Sequence, residues 1–515
     1  MSPSSLRLKP LAICLTAALA VAPTGVLLAD RLHPSLHAAP TSVWRSSVAQ
    51  AIALSPGVNR KGRSLEQSIE EVAAKARANR PSPPQRPAAV LPVTSCADSG
   101  PGTLRDVVAA AASGDVVDLN ALSCSSITLT TGAISTTVND LTILGPGAAH
   151  LKISAGGASG VINHYGVGTL AVDGVTLADG YIQGYAYHGG ACVLSAGNVT
   201  VDNAKVENCL AYTAHAYGGA ICAVGDITLN KSTITGNTTK GHIYFYTYPG
   251  YPNPYQFDGT SRGGGAYAGG RFTITGSTIS NNDATYNSRG STGGGIASRS
   301  GGHVIASSTF NGNHAWLAGG IGILGHYAGE PDGLTVLNST ISGNSAGVSG
   351  GGMNVYRLSY LTLHNSTVTG NSSEYCGGVY VYYGTADIKS TIIAANQSSN
   401  DTNQFGYYSA ADLDVFSSNA TITGEHDAVM TTNAPVPAGT ITADPLLQPL
   451  ADNGGPTATH ALPPSSVAID AGSNPDALDY DQRGNTFARV LGAAADIGAF
   501  EAVPITDAIF TDGFD

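Results

Sequence analysis

The chain has 515 residues, 12% of them charged and 42% apolar, with 65 glycines and a formal net charge of −12. That composition supports a packed core and excludes a disordered chain, and at this length a single domain is reasonable only if it grows along an axis. Residues 44–86 hold eight basic and three acidic side chains, but from residue 90 onward there are 13 basic and 32 acidic ones, a balance that repels phosphate backbones and excludes nucleic acid as a partner.

Residues 1–30 have the form of a secretory signal, with Arg7 and Lys9 at the basic start and Leu11 to Ala22 as the apolar middle. No later stretch approaches the length of a membrane-spanning helix, so the chain is expected to be exported, either secreted or held at the outer cell surface. Residues 31–92 read as a linker with one amphipathic candidate helix, Ser64 to Ala78. The run Pro81-Ser82-Pro83-Pro84-Gln85-Arg86-Pro87 follows as a semi-extended spacer. The folded body is expected from Val93, where Gly102 to Ala112 predicts a short helix with Leu104, Val107 and Val108 on one face. That helix is the natural cap for the unpaired first coil of a solenoid.

From Leu177 to Ile392 one phrase recurs about eight times, clearest in Ser232-Thr233-Ile234-Thr235-Gly236-Asn237 and Ser339-Thr340-Ile341-Ser342-Gly343-Asn344. Centred on Leu177, Val206, Ile234, Ile279, Phe310, Ile341, Val368 and Ile392, the steps are 29, 28, 45, 31, 31, 27 and 24 residues. Short runs of Val, Ile, Thr and Tyr broken by Gly, Asn and Ser predict two or three strands per turn, stacked as a β-solenoid over residues 93–400. Asn237, Asn282, Asn313, Asn344 and Asn371 share one phase and are expected to stack, with amides bonded along the axis. The 45-residue step holds an insertion from about His242 to Arg262, rich in tyrosine and proline, and is expected to leave the stack as an irregular loop. Residues 401–501 lose the phase and are expected to form the opposite cap, with 502–515 a detached acidic tail.

Once Cys14 leaves with the signal, six cysteines remain, and six allow 15 pairings. No CxxC is present, so zinc is excluded and no metal or other cofactor is expected, while an oxidising compartment favours disulfides. Cys96 with Cys124 clamping the start of the solenoid, and Cys192 with Cys209 within one coil, are the preferred pairs. Cys222 and Cys376 are left open.

Both ends of the body carry longer strings. Ser95-Cys96-Ala97-Asp98-Ser99-Gly100-Pro101-Gly102-Thr103-Leu104-Arg105, with Leu144-Gly145-Pro146-Gly147, resembles the opening of bacterial right-handed parallel β-helix proteins. Asp444-Pro445-Leu446-Leu447, Ala468-Ile469-Asp470-Ala471-Gly472, Asp481-Gln482-Arg483-Gly484 and Asp496-Ile497-Gly498-Ala499-Phe500-Glu501 resemble the choice-of-anchor Q domain. The Gly-Gly and Asn phrases resemble chlamydial polymorphic outer-membrane proteins more weakly. The resemblance implies an exported all-β protein, a right-handed parallel β-helix of pectin-lyase-like architecture with the short N-terminal capping helix, and no established reaction.

Aligning the runs after each glycine group predicts an inward column of Ala191, Ala220, Ala266, Ile296, Ile321, Met353 and Val379. The next positions, Cys192, Ile221, Tyr267, Ala297, Gly322, Asn354 and Tyr380, then face outward, as does a further column ending in Tyr356 and Tyr382. Tyr267, Tyr356, Tyr380 and Tyr382, with Tyr246 and Tyr251 of the insertion, are the candidate ligand-binding residues. Stacked tyrosines suit sugar rings or a surface protein, and the chain is expected to act as a monomer in adhesion or recognition. Hydrolysis would need paired carboxylates, and no acidic pair recurs at equal phase. A polysaccharide lyase would need cationic groups, for which Arg262, Arg271 and Arg299 are the only concentration. The eight histidines of the repeat region, including His188, His215, His303 and His326, share no phase and are read as loop residues. A passive envelope protein is the third reading.

Overall fold

In a computed structural model, the structure describes residues 88–503 apart from 242–243, 247–254, 258, 287–289, 325–332, 357–359, 401–409 and 416–419. The signal segment, the candidate helix 64–78, the proline-rich spacer, Tyr251, His326 and the tail from residue 504 lie outside them.

Four parallel sheets wind around one core. Sheet A has 12 strands, from Val90–Pro92 to Ala420–Glu425, and sheet B has 11, from Ser126–Thr128 to Ala428–Val429. Sheet C has nine, from Tyr181–Gly189 to Gln397–Ser398, and sheet D has ten, from Ile134–Thr136 to Leu413–Val415. A full turn therefore uses four strands, where the sequence pattern predicts two or three. The chain is an all-β parallel β-helix.

Alternation explains the core. In sheet A, Ile227 and Leu229 face inward beneath Phe272 and Ile274, while Thr228 and Asn230 face out. The repeat centres stack in sheet B as Leu177, Val206, Ile234, Ile279, Phe310, Ile341 and Val368, but Ile393 rather than Ile392 sits over Val368. His303 is another correction. It occupies the inward column of sheet A beneath Leu334, buried, with Nδ1 accepting from the Phe272 amide and Nε2 against the Ser300 carbonyl.

The predicted asparagine stack is present and longer than expected. Each amide donates to the next coil, Asn237 to Asn282, then Asn313, Asn344, Asn371 and Asn396, at 2.8–2.9 Å, and Asn396 donates to the Asp412 carboxylate at 2.8 Å. A second ladder runs at the other end of the sheet B strands. The backbone amides of Ser232, Ser277, Ser308, Ser339, Ser366 and Thr391 each donate to the next coil's side chain, and this ladder ends on Asp427.

The closing carboxyls make stability depend on pH. Burial pushes Asp427 up to about 8 against the Thr391 amide it accepts, and Asp387 and Glu425 nearby add to the rise. Burial likewise pushes Asp414 and Glu501 to about 7. Such groups keep a proton in the folded chain after the unfolded chain has lost it. Their stabilisation is complete below about pH 4 and is lost as pH rises through the folded values. Burial holds His164, His215, His303 and His460 below the ordinary histidine value, which acts with the opposite sign only below about pH 6.5. Between about pH 6.5 and 8.5 the carboxyls act alone, so the urea midpoint is expected to fall across that window and to fall less in Asp427→Asn. A midpoint that rises instead contradicts this assignment.

Both ends are closed. At the N-terminal end the helix Leu104–Ala110 buries Leu104 and Val108 in the main core, with Thr103 as its N-cap. Beside it, burial works against ionisation of Asp98. The Arg105 guanidinium and the Thr130 and Thr131 donors overcome that and hold its carboxyl below the usual range. The expected disulfides Cys96–Cys124 and Cys192–Cys209 are formed, while Cys222 and Cys376 are buried and join no disulfide.

At the other end, Leu413–Val415, Ala420–Glu425 and Ala428–Val429 add a final coil, and Thr432 and Ile441 bridge onto it. Beyond that the chain differs from a simple cap. It runs back along the outer face of sheet B as a strap, with Ala499 bonded to Thr367, Gln482 to Thr340 and Thr309, and His460 to Ser342. A knot of buried side chains holds the strap. Arg483 pairs with Asp481 between the rings of Phe487 and Phe500, and Arg489 pairs with Glu501. The Asp481 to Gly484 and Asp496 to Glu501 strings thus account for themselves structurally, since they make the knot.

Candidate functional site

The outer side of sheet D and its corner with sheet C gather most of the chemistry that the sequence singles out. Register sets its outward column as Leu194, Cys222, Tyr267, Ala297, Gly322, Asn354, Tyr380 and Asp414. The predicted columns hold from Tyr267 onward but slip in the first two coils, where Val193 and Ile221 face inward instead of Ala191 and Ala220. The reason is backbone conformation. Each strand begins three residues after a left-handed residue, Gly190 (φ 66°), Gly218 (59°), Gly263 (62°) or Gly293 (67°), which is not always the last glycine of its run.

Near the sheet C corner, Tyr217 and Tyr267 meet edge to face with centroids 4.9 Å apart. Burial raises the pKa of both hydroxyls, and the charges of Arg262 and Arg299 act against the rise, so two of the three candidate arginines share this place. Arg262 is 4% exposed, and its Nε and Nη1 have no hydrogen-bond partner among the described residues. His215 bonds Thr260 at 2.9 Å. Burial first, and the Arg262 charge second, lower its pKa to about 4, which leaves it neutral. Arg271 is elsewhere, exposed and paired with Asp226 at 3.3 Å.

Toward the C-terminal end, Tyr382 packs on Tyr356 and Tyr383, each at 4.6 Å, with Tyr380 at 6.5 Å. Tyr380 lies in register with Asp414, and burial, then the nearby Asp414 charge, push its hydroxyl well up. Cys376 is raised for the same two reasons. Asp414 itself is buried against the Asn433 amide.

These positions correct the picture of an open tyrosine strip. Tyr267, Tyr356, Tyr380 and Tyr382 are 4%, 9%, 7% and 8% exposed, and of the cluster Tyr383 is the more open at 36%. Tyr246 lies in the strand Tyr244–Tyr246, which pairs antiparallel with Tyr255–Phe257. The insertion thus contains a hairpin where an irregular loop is predicted, because its prolines fall between the two strands. Sequence reasoning misses Tyr217 and Asp414. Tyr217 ends an adjoining strand rather than following a glycine run, and Asp414 follows the point where the repeat phase is lost.

Chemically, Asp414 is the one carboxyl on that outward column among the described residues, so a two-carboxylate hydrolytic pair is not assembled there. No group of three or more His, Cys, Asp or Glu side chains able to hold a metal ion occurs among the described residues, and no helix among them is long and apolar enough to cross a membrane.

No family model matches the chain, and no curated protein matches it. Among solved structures the chain is similar to the crystal structure of pectate lyase Pel9A, with a TM-score of 0.41 and 13% sequence identity, over 80% of this chain and 96% of that chain. The likeness is one of fold. The two disulfides fit a chain that folds in an oxidising compartment.

Proposed function

We propose that this is an exported recognition protein, secreted or held at a cell surface, that binds saccharide or a surface protein on the outer side of sheet D. The observation that carries the reading is the Tyr356, Tyr380, Tyr382 and Tyr383 cluster, four rings packed together on a rigid stack with one of them open to solvent. Rigid, amphipathic rings lose little entropy on binding and offer both a stacking face and a hydroxyl. The resemblance of the C-terminal strings to choice-of-anchor Q domains supports export and attachment. A second reading, a polysaccharide lyase, draws on one feature: Arg262 and Arg299 sit with the neutral His215 in the manner of a cationic clamp beside a base.

A glycan array probed with the mature protein, run beside an ultraviolet assay for unsaturated uronate, separates the two. Binding without turnover is expected. Tyr383→Ala should weaken it about tenfold, the loss of one aromatic contact and its hydrogen bond from the open ring, with the melting temperature followed as a control for folding. Release of unsaturated product that disappears in Arg262→Ala would replace recognition with lyase chemistry.

A further inference from the structure

Near the N-terminal end the cross-section of the solenoid changes, and the change leaves a step. From Lys152–Ser154 in sheet B the chain passes directly to Ile162–His164 in sheet D, with no strand in sheet C. The next coil inserts Tyr181–Gly189 between Thr176–Ala178 and Val193–Ser195, and this nine-residue strand is the edge of sheet C. Its far side pairs with Leu210–Tyr217, with a shift in register between Gly184 and Tyr187.

In a parallel ladder the amide and carbonyl of one residue point to the same side, and those of the next to the opposite side. The Gly180 carbonyl accepts from Leu210, so residues 180, 182 and 184 serve the following coil. The Tyr181 amide donates to the Ser159 carbonyl at 2.8 Å, so residues 181 and 183 face the step. The Tyr181 carbonyl and both backbone groups of Gln183 have no partner there among the described residues. Most edges are blunted in proteins, because unpaired backbone recruits strands. At the root of this edge lies a depression of about 530 Å³, lined by Asp179, Tyr181, Asn208 and Leu210 with the backbone of Gly156 and Gly180. Asp179 gives it one carboxylate, which accepts from the Ser154 hydroxyl at 2.7 Å and has Lys152 nearby, and the sequence from residue 90 onward carries 32 acidic against 13 basic side chains.

We infer that the step is a strand-addition site for an extended, basic segment of a partner polypeptide. That segment bonds to Gln183 and places a Lys or Arg side chain in the depression at Asp179. Main-chain pairing supplies the affinity and the depression supplies the selectivity. The inference is independent of the sheet D reading.

The test uses two labelled octapeptides, one alternating Lys and Val and the other alternating Glu and Val, titrated into the mature protein by fluorescence anisotropy. The Lys–Val peptide is expected to bind and the Glu–Val peptide not to. Gln183→Pro removes only the donor that faces the step, which an edge strand tolerates, and should weaken binding about tenfold. Asp179→Asn, which keeps a residue suited to its left-handed φ of 56°, should weaken it severalfold and reduce its salt dependence. Circular dichroism and melting verify that both variants fold. Failure of the Lys–Val peptide to bind overturns the inference, as does binding that neither variant alters, since that would be attraction to the acidic body at large.

Discussion

Asn344→Ala should destabilise the solenoid by about 3–5 kcal/mol, measured as a shift in the urea midpoint at constant slope. Asn344 is fully buried. Its amide donates to Asn371 Oδ1 at 2.9 Å and to the Phe310 carbonyl at 3.0 Å, and its Oδ1 accepts from the Asn313 backbone at 3.0 Å and side chain at 2.8 Å. Alanine removes all four bonds and leaves two donors on Asn313 facing apolar surroundings, each costing about 1–3 kcal/mol, partly offset by relaxation. Asn344→Asp is nearly isosteric and tests the assignment further. It can accept but not donate when ionised, so its penalty should grow as pH rises. A change below about 1 kcal/mol in Asn344→Ala would mean that the ladder decorates the corner without supporting it.

Arg489→Met is the second large effect, expected at about 3–5 kcal/mol and confined to the strap at first. The guanidinium is fully buried and donates to the Gly498 carbonyl at 2.9 Å, to the Asp496 carbonyl at 2.7 Å and to Glu501 Oε2 at 3.1 Å. Methionine fills the space but leaves the Glu501 carboxyl, whose pKa is already about 7, with the Leu491 and Asp496 amides and no cation, and leaves the Gly498 and Asp496 carbonyls without their donor. Limited proteolysis should then cut between residues 444 and 502 well before the coils are attacked. Adding Glu501→Gln should recover part of the loss, because it replaces a buried carboxyl that has lost its cation by a neutral group of the same shape. Unchanged protease resistance in Arg489→Met would show that the knot is not what holds the strap.

How much of this is legible in the chain follows from where each signal resides. The coil, its period and the asparagine phase are written locally, because a residue such as Asn313 meets its own kind at the same place one turn later. An offset of one residue from Gly190 or Gly219 fails because the strand begins three residues after the left-handed residue, Gly190 or Gly218, whatever the length of the glycine run. Burial of Tyr267 and Tyr380 is not legible at all. Alternation tells that they leave the core, but whether they reach solvent depends on chain contributed by other coils. The strap is a similar case. Its strings are visible, yet that Gln482 bonds Thr309 and Thr340 across more than a hundred residues is not. Asp412 and Asp427 break their ladders' residue type, so nothing in the repeat announces them as members.

Those two aspartates also give the stack a sense of direction. Every asparagine amide passes its proton forward to the succeeding coil, so a copied repeat added beyond Asn396 would again offer a donor and again require an acceptor. In each ladder the last acceptor is an aspartate oxygen in place of the amide or hydroxyl of the repeat, so Asp412 and Asp427 mark where the repeated rung stops.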